Sequence, residues 1–193
     1  MADTYVLVHG AWHTGAEMEA VAGHLRNSGH VVHCPTVAGN NKDDDREKIG
    51  LEQAISSIVT YIEANNLRDI RLVGHSYGGM VATGVADKAG DRIARIVYID
   101  AFAPRDGESL FDLVGPKAEA NMRAGATKDG NGWKLPINPM PGDTAPEDVA
   151  WASPRRRPQP IKTFEQKLRL ESKAALPPRH YIYAKRNGPG DVF

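Results

Sequence analysis

The sequence has 193 residues, of which 41% are hydrophobic and 25% charged, a composition that suits one folded domain with an excursion and is too short for two full domains. Lysine plus arginine balance aspartate plus glutamate at 24 each, so no net field recruits nucleic acid or an anionic membrane surface. The single cysteine, Cys34, excludes an intrachain disulfide and a cysteine-based zinc cluster, and fits a cytoplasmic protein. The start carries Asp3 and no basic residue ahead of a short apolar run, which is not a secretory signal. No stretch approaches the roughly 18 apolar residues that cross a bilayer.

In chain order, Tyr5-Val6-Leu7-Val8 before His9-Gly10 reads as a buried strand entering a tight turn. Glu17 to Ser28 places Met18, Val21, Ala22 and Leu25 at helical spacing, with Gly29 as its stop. Val31 to Cys34 is the next strand, and the mixed charges from Lys42 to Lys48 form a solvated loop. Leu51, Ala54, Ile55, Ile58, Val59 and Ile62 mark one face of an amphipathic helix running to Asn65. Ile70 to Val73 is a strand, Gly78 to Ala89 a helix, and Ile93 to Ile99 a strand ending at Asp100. Strands alternating with helices imply an α/β fold with a mainly parallel sheet and helices on both faces.

From Ala103 to Pro160 no strand signal survives. Short amphipathic pieces at Leu110 to Val114, Lys117 to Arg123 and Pro146 to Trp151 predict a helical cap lying over the sheet. A helix carrying Phe164, Leu168 and Leu170 returns from it to a last strand, Tyr181 to Ala184. The expected division is a core of residues 1–104 and 161–193 with a cap of residues 105–160.

Gly74-His75-Ser76-Tyr77-Gly78 has the form G-x-S-x-G between a strand and a helix, which describes a nucleophile elbow. So sharp a turn needs small residues on both sides of the serine, and Gly74, Gly78 and Gly79 meet that need. Acyl transfer also needs two backbone N–H donors for the oxyanion, and the turn after the first strand and the residue after the nucleophile assign Ala11 and Tyr77. Trp12 and His13 follow as pocket residues, with Trp133, Trp151 and Met122 as candidates for its roof. His9 is expected to fix the oxyanion loop and His75 to pack beneath the elbow. His24, His30 and His33 have no metal spacing.

These motifs resemble the α/β-hydrolase superfamily. More narrowly, Val6-Leu7-Val8-His9-Gly10-Ala11-Trp12-His13, Gly74 to Met80 and Tyr98-Ile99-Asp100-Ala101-Phe102-Ala103-Pro104 are similar to small bacterial esterases related to plant hydroxynitrile lyases and methyl-salicylate esterases. The resemblance implies a triad acid, for which Asp100 is the first candidate and Asp191, beyond Asn187, the second. It also implies a catalytic histidine after the acid. His180 is the only histidine after Ser76 and opens a strand at the far edge of the sheet, so the base, a final strand and a helix are expected beyond Phe193.

The function so implied is hydrolysis of small, fairly apolar carboxylic esters, with amides or carbamates as neighbouring classes, by Ser76 and without a cofactor or metal. The alternatives are hydroxynitrile lyase chemistry, for which no matching lysine is found, and a non-catalytic small-ligand binder. The partner is a small-molecule substrate, with no nucleic acid and no membrane, and an open sheet edge would permit a homodimer.

Overall fold

The computed structural model describes residues 2–172 and 174–185. The chain runs from β1 (Thr4–Val8) through a 3₁₀ turn at Gly15–Met18 to α1 (Glu19–Asn27), β2 (Val31–His33), α2 (Leu51–Ala64), β3 (Ile70–Ser76), α3 (Gly78–Lys88) and β4 (Ile93–Ala101). Between β4 and the last strand lie α4 (Leu110–Val114), α5 (Pro116–Asp129), β5 (Lys134–Leu135), α6 (Pro146–Ala152), β6 (Gln159–Pro160) and α7 (Lys162–Glu165), followed by β7 (Arg179–Ile182). Among the described residues the main sheet has five strands in the order β2-β1-β3-β4-β7, every pair parallel.

The period-two alternation of each strand divides the core between the two faces. Val6, Val8, Ile70, Leu72, Ile96 and Tyr98 pack with α2 and α3 in the larger cluster. Leu7 and Val73 turn the other way, toward Met18 and Ala22 on the α1 side. In α2 the buried residues are Leu51, Ala54, Ile55, Ile58 and Ile62, the stripe that the sequence periodicity predicts. Helix α3 is buried from Gly78 through Ala86, because it lies between the sheet and α2 and keeps no polar face.

Among the described residues, helices cover the two faces unevenly. Alpha1 shields Leu7 and Val32, whereas Val97 and Ile99 are only partly buried and line a groove with Val21, Arg95, His180 and Ile182. Among the described residues no helix is long and apolar enough to cross a membrane.

Several elements differ from their sequence-based bounds. Strand β3 runs on to Ser76 rather than ending at Val73, and β4 runs to Ala101. The segment after β4, expected to hold no strand, contains the antiparallel pair β5 and β6. The returning helix stops at Glu165, and Leu168 instead exchanges backbone bonds with Gly107 and Glu108, each 2.9 Å. The spacing of Leu168 and Leu170 is that of extended chain, which sets both toward the core cluster. Strand β7 begins two residues earlier than predicted, at Arg179. Asn187 and Asp191 lie outside the described residues.

Candidate active site

Ser76 ends β3 at φ +52°, a left-handed angle that a serine adopts only when its surroundings hold it there. Those surroundings are close backbones. A Cβ on Gly74 would lie 2.6 Å from the Gly78 carbonyl oxygen, and one on Gly78 would lie 2.4 Å from that of Val8. The amino end of α3 is therefore seated against β1 and β3 at a distance that only glycine permits. The Phe102 N–H donates to the Ser76 carbonyl at 3.2 Å, which ties the elbow to the chain leaving β4.

Ala11 and Tyr77 flank Ser76 in one cavity of about 370 Å³. Among the described residues, neither the Ala11 nor the Tyr77 N–H is taken by an acceptor. Tyr77 caps α3, where unpaired N–H groups and the helix dipole favour negative charge. The remaining walls are apolar: Trp12, Phe102, Leu110, Val114, Ala118, Met122 and Phe164, with Asn138 at the rim. Phe164 organises them, its ring 5.9 Å from Trp12, 5.5 Å from Tyr77 and 5.9 Å from Phe111. Burial raises the pKa of the Tyr77 phenol, so the ring acts here as a neutral wall.

Asp100 occupies a bulge. Strand β4 pairs Ile99 with His75 and then Ala101 with Ser76, leaving Asp100 as the extra residue beside the elbow, at φ +37°. Its Oδ1 accepts the Ala184 N–H at 2.7 Å, which anchors it to the chain after β7.

The histidines have separate duties. His9 is fully buried, donates from Nδ1 to the Gly10 carbonyl at 2.8 Å and accepts the Val37 N–H on Nε2 at 3.0 Å. Burial pushes its pKa down to about 4. These bonds place His9 beneath the turn that follows β1. His13, expected in the substrate pocket with Trp12, is on the other side of the turn. Its Nδ1 donates to the Ala11 carbonyl at 2.7 Å, and it lines a separate cavity of about 270 Å³ with Glu17, Val21 and His75. The turn explains the split, since residues on either side of its strained third position, Trp12 at φ +65°, face opposite ways. Burial lowers the pKa of both His13 and His75, and the Asp100 charge offsets part of that effect at His75.

His180 faces Arg95 across a 3.5 Å contact and is paired in register with Val97, two strands from the elbow. No hydrogen bond joins Ser76 Oγ to any of the seven histidines of the sequence, all of which are described. Among the described residues, no three His, Cys, Asp or Glu side chains gather to hold a metal ion.

Sequence reasoning missed most of the walls. Met122 lines the cavity as expected, but Trp151 is 41% exposed beneath Arg155, and Trp133 sits by Lys134. Phe164, Leu110 and Phe102 take the places expected of the tryptophans. Their only signal was apolar character at the two ends of the excursion.

Comparisons with known proteins agree with this geometry. The model of an alpha/beta hydrolase family matches residues 5–191. A carbendazim hydrolyzing esterase of Nocardioides sp. (strain SG-4G) is 38% identical over 192 residues, covering 93% of this chain and 79% of that protein. An extracellular alpha/beta-hydrolase from a Paenibacillus species, described as sharing structural and functional homology with tobacco salicylic acid binding protein 2, superposes with a TM-score of 0.84 at 30% identity, over 94% of this chain and 77% of the other. Polyneuridine aldehyde esterase superposes with a TM-score of 0.71 at 21% identity, over 100% and 84% of the two chains, a likeness of fold.

Proposed function

We propose, on the premise that the chain belongs to the α/β-hydrolase family and is a hydrolase, that Ser76 is its nucleophile and that its substrates are small, apolar carboxylic esters, with carbamates and amides as neighbouring classes. The observation that carries this reading is the strained Ser76 at the mouth of an apolar cavity, with the Ala11 and Tyr77 N–H groups beside it and free of acceptors. A volume of about 370 Å³ is at the small end of ligand pockets, which begin at roughly 300 Å³. Trp12, Phe102 and Phe164 give the cavity aromatic walls, and Asn138 adds a polar side chain to its lining.

In the proposed reaction Ser76 Oγ attacks the carbonyl carbon as its proton passes to a base. The carbonyl oxygen becomes an oxyanion held by the two N–H groups. Collapse expels the alcohol, and water then releases the acid. Asp100, anchored by the Ala184 N–H, is the carboxylate on the elbow side of the sheet that would orient an imidazole.

None of the seven histidines of the sequence bonds Ser76, so the test supplies the base as imidazole in solution. The test is hydrolysis of a p-nitrophenyl ester with increasing imidazole, comparing the parent with Ser76→Ala. After subtraction of the protein-free rate at each imidazole concentration, the parent should show turnover that rises with imidazole and exceeds Ser76→Ala by at least about a thousandfold. Turnover within tenfold of Ser76→Ala at every imidazole concentration would overturn Ser76 as nucleophile and favour a pocket that only binds its ligand.

A further inference from the structure

Strand β7 ends at Ile182, in register with Ile99, whereas β4 runs on to Ala101. Among the described residues, the last two residues of β4 therefore have no strand partner on that edge of the sheet. Asp100, the extra residue of the bulge, is one of them, held at φ +37° beside the elbow. A left-handed angle at a residue other than glycine persists only where neighbouring groups hold it, and the backbone polar groups of a strand end need partners.

A tyrosine hydroxyl meets both needs. Tyr181 sits opposite Tyr98 in the β4–β7 pair, with the two rings stacked at 6.2 Å, and its side chain reaches along β4 to Ala101. There Tyr181 Oη accepts the Ala101 N–H at 3.0 Å and donates to the Ala101 carbonyl at 2.9 Å. The two groups belong to different peptides. The first, Asp100–Ala101, follows the Asp100 Cα directly, while the peptide before that Cα leaves Ile99, which is in register with both His75 and Ile182. The Asp100 Cα is thus held from both sides, which fixes the direction of its Cβ, and the Ala184 N–H fixes the carboxylate at 2.7 Å. The second peptide, Ala101–Phe102, turns its other end to the elbow, where the Phe102 N–H donates to the Ser76 carbonyl at 3.2 Å.

The geometry points to Tyr181 as a positioning residue of the active site: its hydroxyl clamps the two peptides that follow Asp100, so that the Asp100 carboxylate and the Ser76 elbow keep their mutual placement. The inference rests on the proposed roles of Ser76 and Asp100. Tyr181 stands outside the lining of the Ser76 cavity, so its part is played through the end of β4. Oriented groups lower a barrier only while their geometry is held. Loss of the clamp should therefore act on the transition state and leave substrate binding nearly unchanged.

The experiment compares Tyr181→Phe with Tyr98→Phe. Each removes one hydroxyl from the same ring stack, but the Tyr98 hydroxyl bonds Thr83 Oγ1, at 2.8 Å, on the α3 side. Amide hydrogen exchange of Ala101 and Phe102, followed by NMR, should accelerate at least about tenfold in Tyr181→Phe and stay within about threefold of the parent in Tyr98→Phe, with Ile58 and Val81 as references for global opening. In the imidazole-supplemented ester assay, kcat of Tyr181→Phe should fall about tenfold with KM within about twofold. If Tyr181→Phe does not fold, Tyr181→Leu, which also lacks the hydroxyl, should loosen Ala101 and Phe102 in the same direction. Unchanged Ala101 exchange, or equal acceleration at Ala101 and the reference amides, would overturn the clamp. Faster Ala101 exchange with unchanged kcat, or a raised KM at unchanged kcat, would overturn the positioning role, while leaving intact a hydrolase reading that Ser76→Ala had upheld.

Discussion

His9 has no exposed surface and both ring nitrogens bonded, one to the Gly10 carbonyl and one to the Val37 N–H. That pairing requires the neutral ring with its proton on Nδ1. A second proton would face the Val37 N–H and have no solvent to stabilise its charge. The pKa of about 4, against an ordinary 6.5, carries a sign for stability. The unfolded chain takes up the proton first as pH falls, so the contribution of His9 is fully present above 6.5 and is lost progressively as pH drops from 6.5 toward 4. The gap corresponds to about 3 kcal/mol. Urea denaturation at pH 7.5 and 4.5 should show that His9→Gln, destabilised at the higher pH, loses less stability on acidification than the parent. Parallel losses would mean that His9 is not the titrating group.

At the scale of the element, the elbow is a packing problem before it is a chemical one. A Cβ on Gly79 would lie 2.1 Å from the Phe102 carbonyl oxygen, whereas one on Gly23, in α1, would meet nothing within 4 Å. Two changes of identical composition therefore have opposite expected signs. Gly79→Ala should push α3 off the chain leaving β4 and cost about 2 to 3 kcal/mol. Gly23→Ala should stabilise by about 0.5 to 1 kcal/mol, because alanine is the better helix former and the unfolded chain loses freedom. Thermal unfolding of the two variants checks the pair. A neutral Gly79→Ala would show that α3 can shift without strain, removing the support for the Ser76 angle.

At the scale of the molecule, the described residues cover the sheet well on the α2 and α3 side and sparsely on the other. Val21 is 47% and Ile182 55% exposed, at opposite walls of a groove of about 460 Å³ floored by Leu7, Val73, Val97 and Ile99. A contiguous apolar strip of this kind takes up hydrophobic dyes. Val21→Lys with Ile182→Lys should reduce the fluorescence of an added naphthalene sulfonate dye at least about threefold with no loss of melting temperature, and undiminished fluorescence would place the dye elsewhere. The alternation of strands and helices, the α2 stripe and the Gly74 to Gly78 elbow were legible in the sequence, because periodicity and backbone sterics are local. The walls of the cavity were not. Phe164 reaches Trp12 and Tyr77 only through the path of the segment after β4. His13 was misjudged for a related reason: a single left-handed residue, Trp12, turns the two neighbours to opposite sides.

The most direct measurement is peptide mass spectrometry of the protein after treatment with a fluorophosphonate in imidazole buffer. This reagent phosphonylates a serine whose proton a base removes beside oxyanion donors, and the imidazole buffer supplies that base. The account predicts one adduct per chain, on the peptide containing Ser76, and none in Ser76→Ala. An adduct on another residue, or an unlabelled Ser76 when the folded protein is treated under conditions that label a control serine esterase, would contradict it.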